Sequence, residues 1–78
     1  MDFSFDKRVG KNVRALRKEK GWSQEQMAAK LQVCGCDVTR SALAKIEAGQ
    51  RHVYLYEIYR IREVLDCSYN DLFKENPH

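Results

Sequence analysis

The amino-acid sequence predicts an all-α fold, a compact bundle of five short helices. Punctuation, periodicity and helix-end signals carry this. Proline is confined to Pro77 and the four glycines are isolated, so the dense turn punctuation of a β-fold is missing. Apolar residues recur at three- and four-residue spacing along most of the chain. Capping residues and glycines bracket those apolar runs as helix starts and stops. At 78 residues, 44% hydrophobic and 32% charged, the chain is expected to form a single domain, 1–78, with a packed core from about residue 6 to 73.

The first helix is expected from about Asp6 to Lys20. Asp6 is the candidate N-cap, and Val9, Val13 and Leu16 form the apolar stripe. Lys18 and Lys20 suit the negative end of the helix dipole, and Gly21 is the stop. The second start signal is WSQEQM. Ser23 caps, Gln26 completes a capping box, and Trp22 and Met27 sit at hydrophobic-staple spacing. A stacking role for Trp22 is the alternative to the staple. Met27, Ala28 and Leu31 continue one stripe. Gln32, Val33 and Cys34 carry no breaker, so this helix runs on until Gly35.

A turn is expected over Gly35-Cys36-Asp37-Val38. Thr39 then caps a third helix running to about Ala48 and stopped by Gly49. It buries Ala42 or Leu43, then Ile46, and turns Arg40, Ser41, Ala44 and Lys45 outward. A polar connection, Gln50 to His52, leads to a fourth helix from about Leu55 to Leu65, with Ile58, Ile61, Val64 and Leu65 as its apolar face. A short fifth helix, about Ser68 to Phe73, docks Leu72 and Phe73. Phe3 and Phe5 precede the first helix and pack either back on it or on a second subunit.

Charge is distributed unevenly. Met1 to Val33 holds eight basic residues against four acidic, whereas Glu63 to His78 holds one against four. A basic end fits a polyanion partner; solvated helix faces account for the same pattern. No apolar run approaches the roughly 20 residues of a membrane span. MDFSFDKRVG is interrupted by charge too early for a signal peptide. A cytoplasmic protein with no membrane partner is therefore expected, and its three cysteines are expected as thiols.

The second and third helices, joined by a short glycine-containing turn, make a helix-turn-helix. The N-terminal end of the second of such a pair enters the DNA major groove, so its first turns must present small or polar groups. Arg40, Ser41 and Lys45 meet that demand as candidate base contacts, since Arg and Lys donate to guanine and Ser bonds either partner. Gln24 adds a donor at the start of the preceding helix, where free backbone N–H groups favour a phosphate.

SQEQMAAKL followed by VTRSALAKIEAGQR resembles the phage-repressor/Cro-type helix-turn-helix family, also called the xenobiotic-response-element type. The resemblance runs from about Lys11 to Phe73, with DCSYNDLF as its closing helix. It implies a lambda-repressor-like DNA-binding domain. It further implies phosphate contacts from Gln24, Thr39, Gln50, Arg51 and His52. Arg17 and Glu47 match the family's buried structural ion pair. The chain departs from the pattern twice. Gln32 to Cys36 is about five residues longer than the usual link. Tyr54 and Leu55 replace smaller or polar residues and, with Tyr56 and Tyr59, form either satellite core or a dimer contact.

Cys34 and Cys36 are separated by a single residue, not the two to four of paired zinc ligands. Cys67 is expected as a small core residue, Cys34 as cover for a helix end and Cys36 as a turn residue; a thiol- or metal-sensing pair is the alternative. No paired carboxylates, nucleophile–histidine set or phosphate-cradling glycine loop is recognisable, so no enzyme, metal, cofactor or small-molecule ligand is expected. The expected function is a sequence-specific double-stranded DNA-binding transcriptional regulator, a repressor acting as a homodimer through the helix at about 39–48. The competing reading is a protein-interaction module, such as an antitoxin or adaptor, using the same fold.

Overall fold

The computed structural model describes residues 3–75; the expectations for Pro77 and His78 lie outside them. Within that span the chain forms five helices and no strand: α1 (Ser4–Glu19), α2 (Gln24–Val33), α3 (Arg40–Glu47), α4 (Leu55–Leu65) and α5 (Tyr69–Phe73). Val9, Val13, Met27, Leu31, Leu43, Ile46, Ile58, Ile61, Leu65 and Leu72 close on one core. No described helix is long and apolar enough to cross a membrane.

Helix α1 begins two residues before the expected start. Phe3 occupies the N-cap position without a side-chain cap bond, and Asp6 lies inside the first turn. Asp6 is buried because its carboxylate accepts from His52 Nδ1 at 2.7 Å, and Phe3 stacks on the same imidazole with ring centroids 4.9 Å apart. A tertiary partner thus displaces the capping role that local sequence suggested. Further along α1, the Asn12 amide donates to the carbonyls of Leu72 and Lys74 at 2.8 Å each, tying α1 to α5.

Helix α2 starts as its sequence dictates. Ser23 Oγ accepts from the Gln26 N–H at 3.0 Å, and Gln26 Oε1 accepts from the Ser23 N–H at 2.8 Å. The helix runs without a break to Val33, after which Gly35 adopts φ 85°. The Gly35 N–H bonds the Gln32 carbonyl at 3.0 Å and the Cys36 N–H the Leu31 carbonyl at 2.9 Å. This paired closure of the last turn needs a left-handed residue, here glycine. It also carries Cys36 and Val38 into the core, at 1% and 0% exposure. Cys36 is therefore core as well as turn. Cys34 donates its thiol to the Leu31 carbonyl at 3.1 Å, and Cys67 packs half-buried at the core's edge.

Helix α3 is capped by Thr39, whose hydroxyl accepts from the Ala42 N–H at 3.1 Å. Leu43 and Ile46 are its fully buried apolar residues and Ala42 is half-buried. At its end the Gly49 and Gln50 N–H groups close back on the carbonyls of Ile46 and Lys45. The Ser68–Asp71 capping box starts α5. Residues 54–56 and Tyr59 are exposed, Leu55 at 82%, so these α4 side chains are not satellite core.

Candidate nucleic-acid interface

A buried ion pair holds the helix-turn-helix together. Arg17 Nε and the second terminal nitrogen reach the two Glu47 oxygens at 2.7 and 2.9 Å. The remaining Arg17 nitrogen donates to the Trp22 carbonyl at 2.6 Å. Gln24 Nε2 joins at 3.1 Å from Glu47 Oε1. One carboxylate thus binds α1, the first residue of α2 and the last residue of α3 into a single unit. The hydrogen bond to Glu47 is the main reason the Arg17 guanidinium is held even more firmly protonated than usual, against the opposing effect of burial. Trp22 fills the corner beside this pair, half-buried against the core, with Lys30 Nζ 4.6 Å from its ring centre.

That frame leaves the outer side of α3 open. Arg40, Ser41 and Lys45 are all exposed, and none of their side chains is spent on another described residue. Thr39 stands at the start of the same helix with its hydroxyl engaged in the cap. A groove of about 480 Å³ runs between Ser23 and Gln24 at the start of α2, Ala44 and Ala48 on α3, and Arg14 on α1, with the Arg17–Glu47 pair at its floor. The two alanines keep it open.

The connection after α3 is braced on both sides. Arg51 forks onto Glu57 at 3.0 and 2.8 Å and donates to the His52 carbonyl at 2.6 Å. Burial of Glu57 opposes its ionisation, but the Arg51 fork and the Tyr54 N–H outweigh that and hold its carboxyl below the usual range. His52 is held from the other side by Asp6 and Phe3. Of the residues expected here, Gln50 is exposed with its side chain uncommitted, whereas Arg51 and His52 are turned onto protein partners. Gln24 is likewise turned inward, onto Glu47.

Gly10 and Glu57 position this surface, Asp6 holds His52 and Arg14 lines the groove; none of the four was assigned such a role from the sequence. Of these only Gly10 leaves a sequence signal, since a glycine inside a helical pattern implies close packing. A Cβ at Gly10 would overlap the Ile46 carbonyl oxygen and lie 2.9 Å from that of Glu47. The cysteines stay apart from the interface. Burial pushes the thiols of Cys36 and Cys67 up, which opposes thiolate reactivity. Among the described residues no cluster of three or more His, Cys, Asp or Glu side chains is arranged to hold a metal ion.

A second surface lies on α4 and α5. Leu55, Tyr56, Ile58, Tyr59, Tyr69 and Phe73 line an apolar groove of about 660 Å³. Arg60 lies over the rings of both Tyr56 and Tyr59, 5.3 Å from each centre.

Comparison with known proteins places these features in a group. The helix-turn-helix family model matches residues 13–72. The crystal structure of the restriction-modification controller protein C.AhdI from Aeromonas hydrophila is similar, with a TM-score of 0.79 and 32% sequence identity, covering 91% of this chain and 96% of that one. No curated protein sequence matches.

Proposed function

The chain belongs to the helix-turn-helix family, of the Cro/C1 type, and from that premise we propose that it is a sequence-specific DNA-binding transcriptional regulator working as a homodimer. The observation that carries this reading is the outer face of α3. Arg40, Ser41 and Lys45 are exposed donors without partners among the described residues, on a helix locked to α1 and α2 through Glu47. In the proposed complex α3 lies in the major groove with Arg40 and Ser41 at base edges and Lys45 one turn further on. Thr39 and Gln50 are the proposed direct phosphate contacts; Gln24, Arg51 and His52, bonded to Glu47, Glu57 and Asp6, join them by sharing or exchanging those bonds with a phosphate. Backbone N–H groups at the start of α2 supply attraction for an anion. Repression follows from a bound dimer covering a promoter.

Dimerisation is proposed through the α4–α5 groove. Tyrosine and phenylalanine side chains in an exposed apolar groove, with Arg60 over two of the rings, match the aromatic and arginine enrichment of interfaces. A two-fold pair presents two α3 helices to half-sites about 34 Å apart on one face of the duplex. The same groove supports the second reading, a partner-binding module, because an exposed apolar face suits a different protein as well as a second copy.

Fluorescence anisotropy separates the two. The duplex upstream of the protein's own gene is compared with a shuffled duplex of equal composition across a salt series. Tighter, salt-sensitive binding to the first supports a sequence-reading regulator. Equal, weak binding to both favours the partner-binding module.

A further inference from the structure

Lys7, Lys11, Arg14 and Lys18 are spaced by four, three and four residues, which puts them on one narrow stripe of α1. All four are exposed. The adjoining stripe of α1, Gly10 and Arg17, is the one in contact with α3: Gly10 against the Ile46 and Glu47 carbonyls, Arg17 on the Glu47 carboxylate. The basic stripe therefore borders α3 rather than facing open solvent on the far side of the molecule. Two contacts mark that border. Lys7 lies against Gly49 at the end of α3, and Arg14 forms one wall of the groove opposite Ala44 and Ala48.

Arg14 differs from the carboxylate-paired guanidinium groups of the protein. Arg17, Arg51 and Arg60 each bond a carboxylate. Arg14 has no hydrogen bond or ion pair to any described residue. Its charge stands unpaired among the described residues at the edge of the open groove that Ala44 and Ala48 of α3 also line. A planar guanidinium in that position is suited to the paired oxygens of a phosphodiester.

We propose that Arg14 holds a backbone phosphate of the duplex read by α3, making α1 a DNA-contacting element alongside α2 and α3. This rests on the DNA-reading function proposed above. The contact adds affinity and orientation and carries no base preference, because a phosphate is the same at every sequence.

The test is anisotropy on the upstream and shuffled duplexes from low to moderate salt with wild type, Arg14→Gln, Arg14→Lys and Lys74→Gln. Lys74→Gln makes the same charge change away from the groove, on the segment after α5. Arg14→Gln should reduce the slope of log affinity against log salt by about 0.9. It should weaken both duplexes several-fold and leave their ratio unchanged, and Arg14→Lys should recover the slope. Far-ultraviolet circular dichroism confirms that the variants fold. A wild-type slope in Arg14→Gln, or an equal fall in Lys74→Gln, overturns the phosphate contact. Wild type that binds neither duplex overturns the DNA-reading function itself.

Discussion

Gly10 of α1 lies directly against the backbone of Ile46 in α3, with no room between them for a side chain. This contact sets the approach of α1 to the C-terminal half of the helix proposed to read DNA. Alanine has the higher helix propensity by about 1 kcal/mol. Here its methyl group would meet two carbonyl oxygens, and backbone cannot swing aside as a flexible side chain does. Gly10→Ala should therefore destabilise the protein by about 1–3 kcal/mol and weaken DNA binding by displacing α3. Urea denaturation measures the first effect; an unchanged or higher midpoint would contradict the packing argument.

The Arg17–Glu47 pair predicts a non-additive mutant cycle. Arg17→Met or Glu47→Leu alone leaves an unpaired buried charge and should cost about 3–5 kcal/mol. The double variant removes both charges and should lose clearly less than the sum. Denaturation of the three variants tests this, and simple additivity would mean that the two groups do not act as a pair.

Base reading and backbone attraction should separate by mutation. Arg40→Ala is expected to cost about 1–3 kcal/mol at one base position and to relax preference there. Arg51→Ala should weaken all sequences alike, because it removes a cation and leaves the Glu57 carboxylate without its fork. Binding to a panel of single-base operator variants distinguishes them. If Arg40→Ala preserved the wild-type base preference, α3 would not be docked as proposed.

Acid should loosen the connection between α3 and α4. The Glu57 carboxyl titrates lower when folded than in an unfolded chain, so the unfolded state binds its proton first as pH falls. Its contribution is fully present above the ordinary carboxylate range and is lost as pH drops through the folded value. Urea midpoints between about pH 7 and pH 3 should fall less steeply for Glu57→Gln than for wild type. Parallel curves would remove Glu57 from the acid sensitivity.

The helices were legible because their signals are local. Ser23 and Gln26 can only reach each other's backbone if α2 starts between them, and Gly35 and Gly49 close their helices through bonds spanning a few residues. The stripe of Met27, Ala28 and Leu31 shows the buried side of α2 without knowledge of what covers it. The proposed recognition residues follow from the same logic, since Thr39 marks where α3 begins and the pattern marks which of its sides is apolar.

The sequence by itself thus determined the number and order of the helices, the caps and stops of α2 and α3, and the outward side of α3. Tertiary structure alone decided what each polar group at the interface is bonded to. Asp6 reads as a cap in isolation, yet it lies buried because His52 arrives from forty-six residues away. Arg51 reads as a free cation, yet it is forked onto Glu57. Arg14 reads as one cation among many, and the α3 alanines place it at the edge of a groove. Hydrogen bonds within a turn depend on neighbours along the chain, whereas pairing and exposure depend on which distant surfaces the packed core brings together.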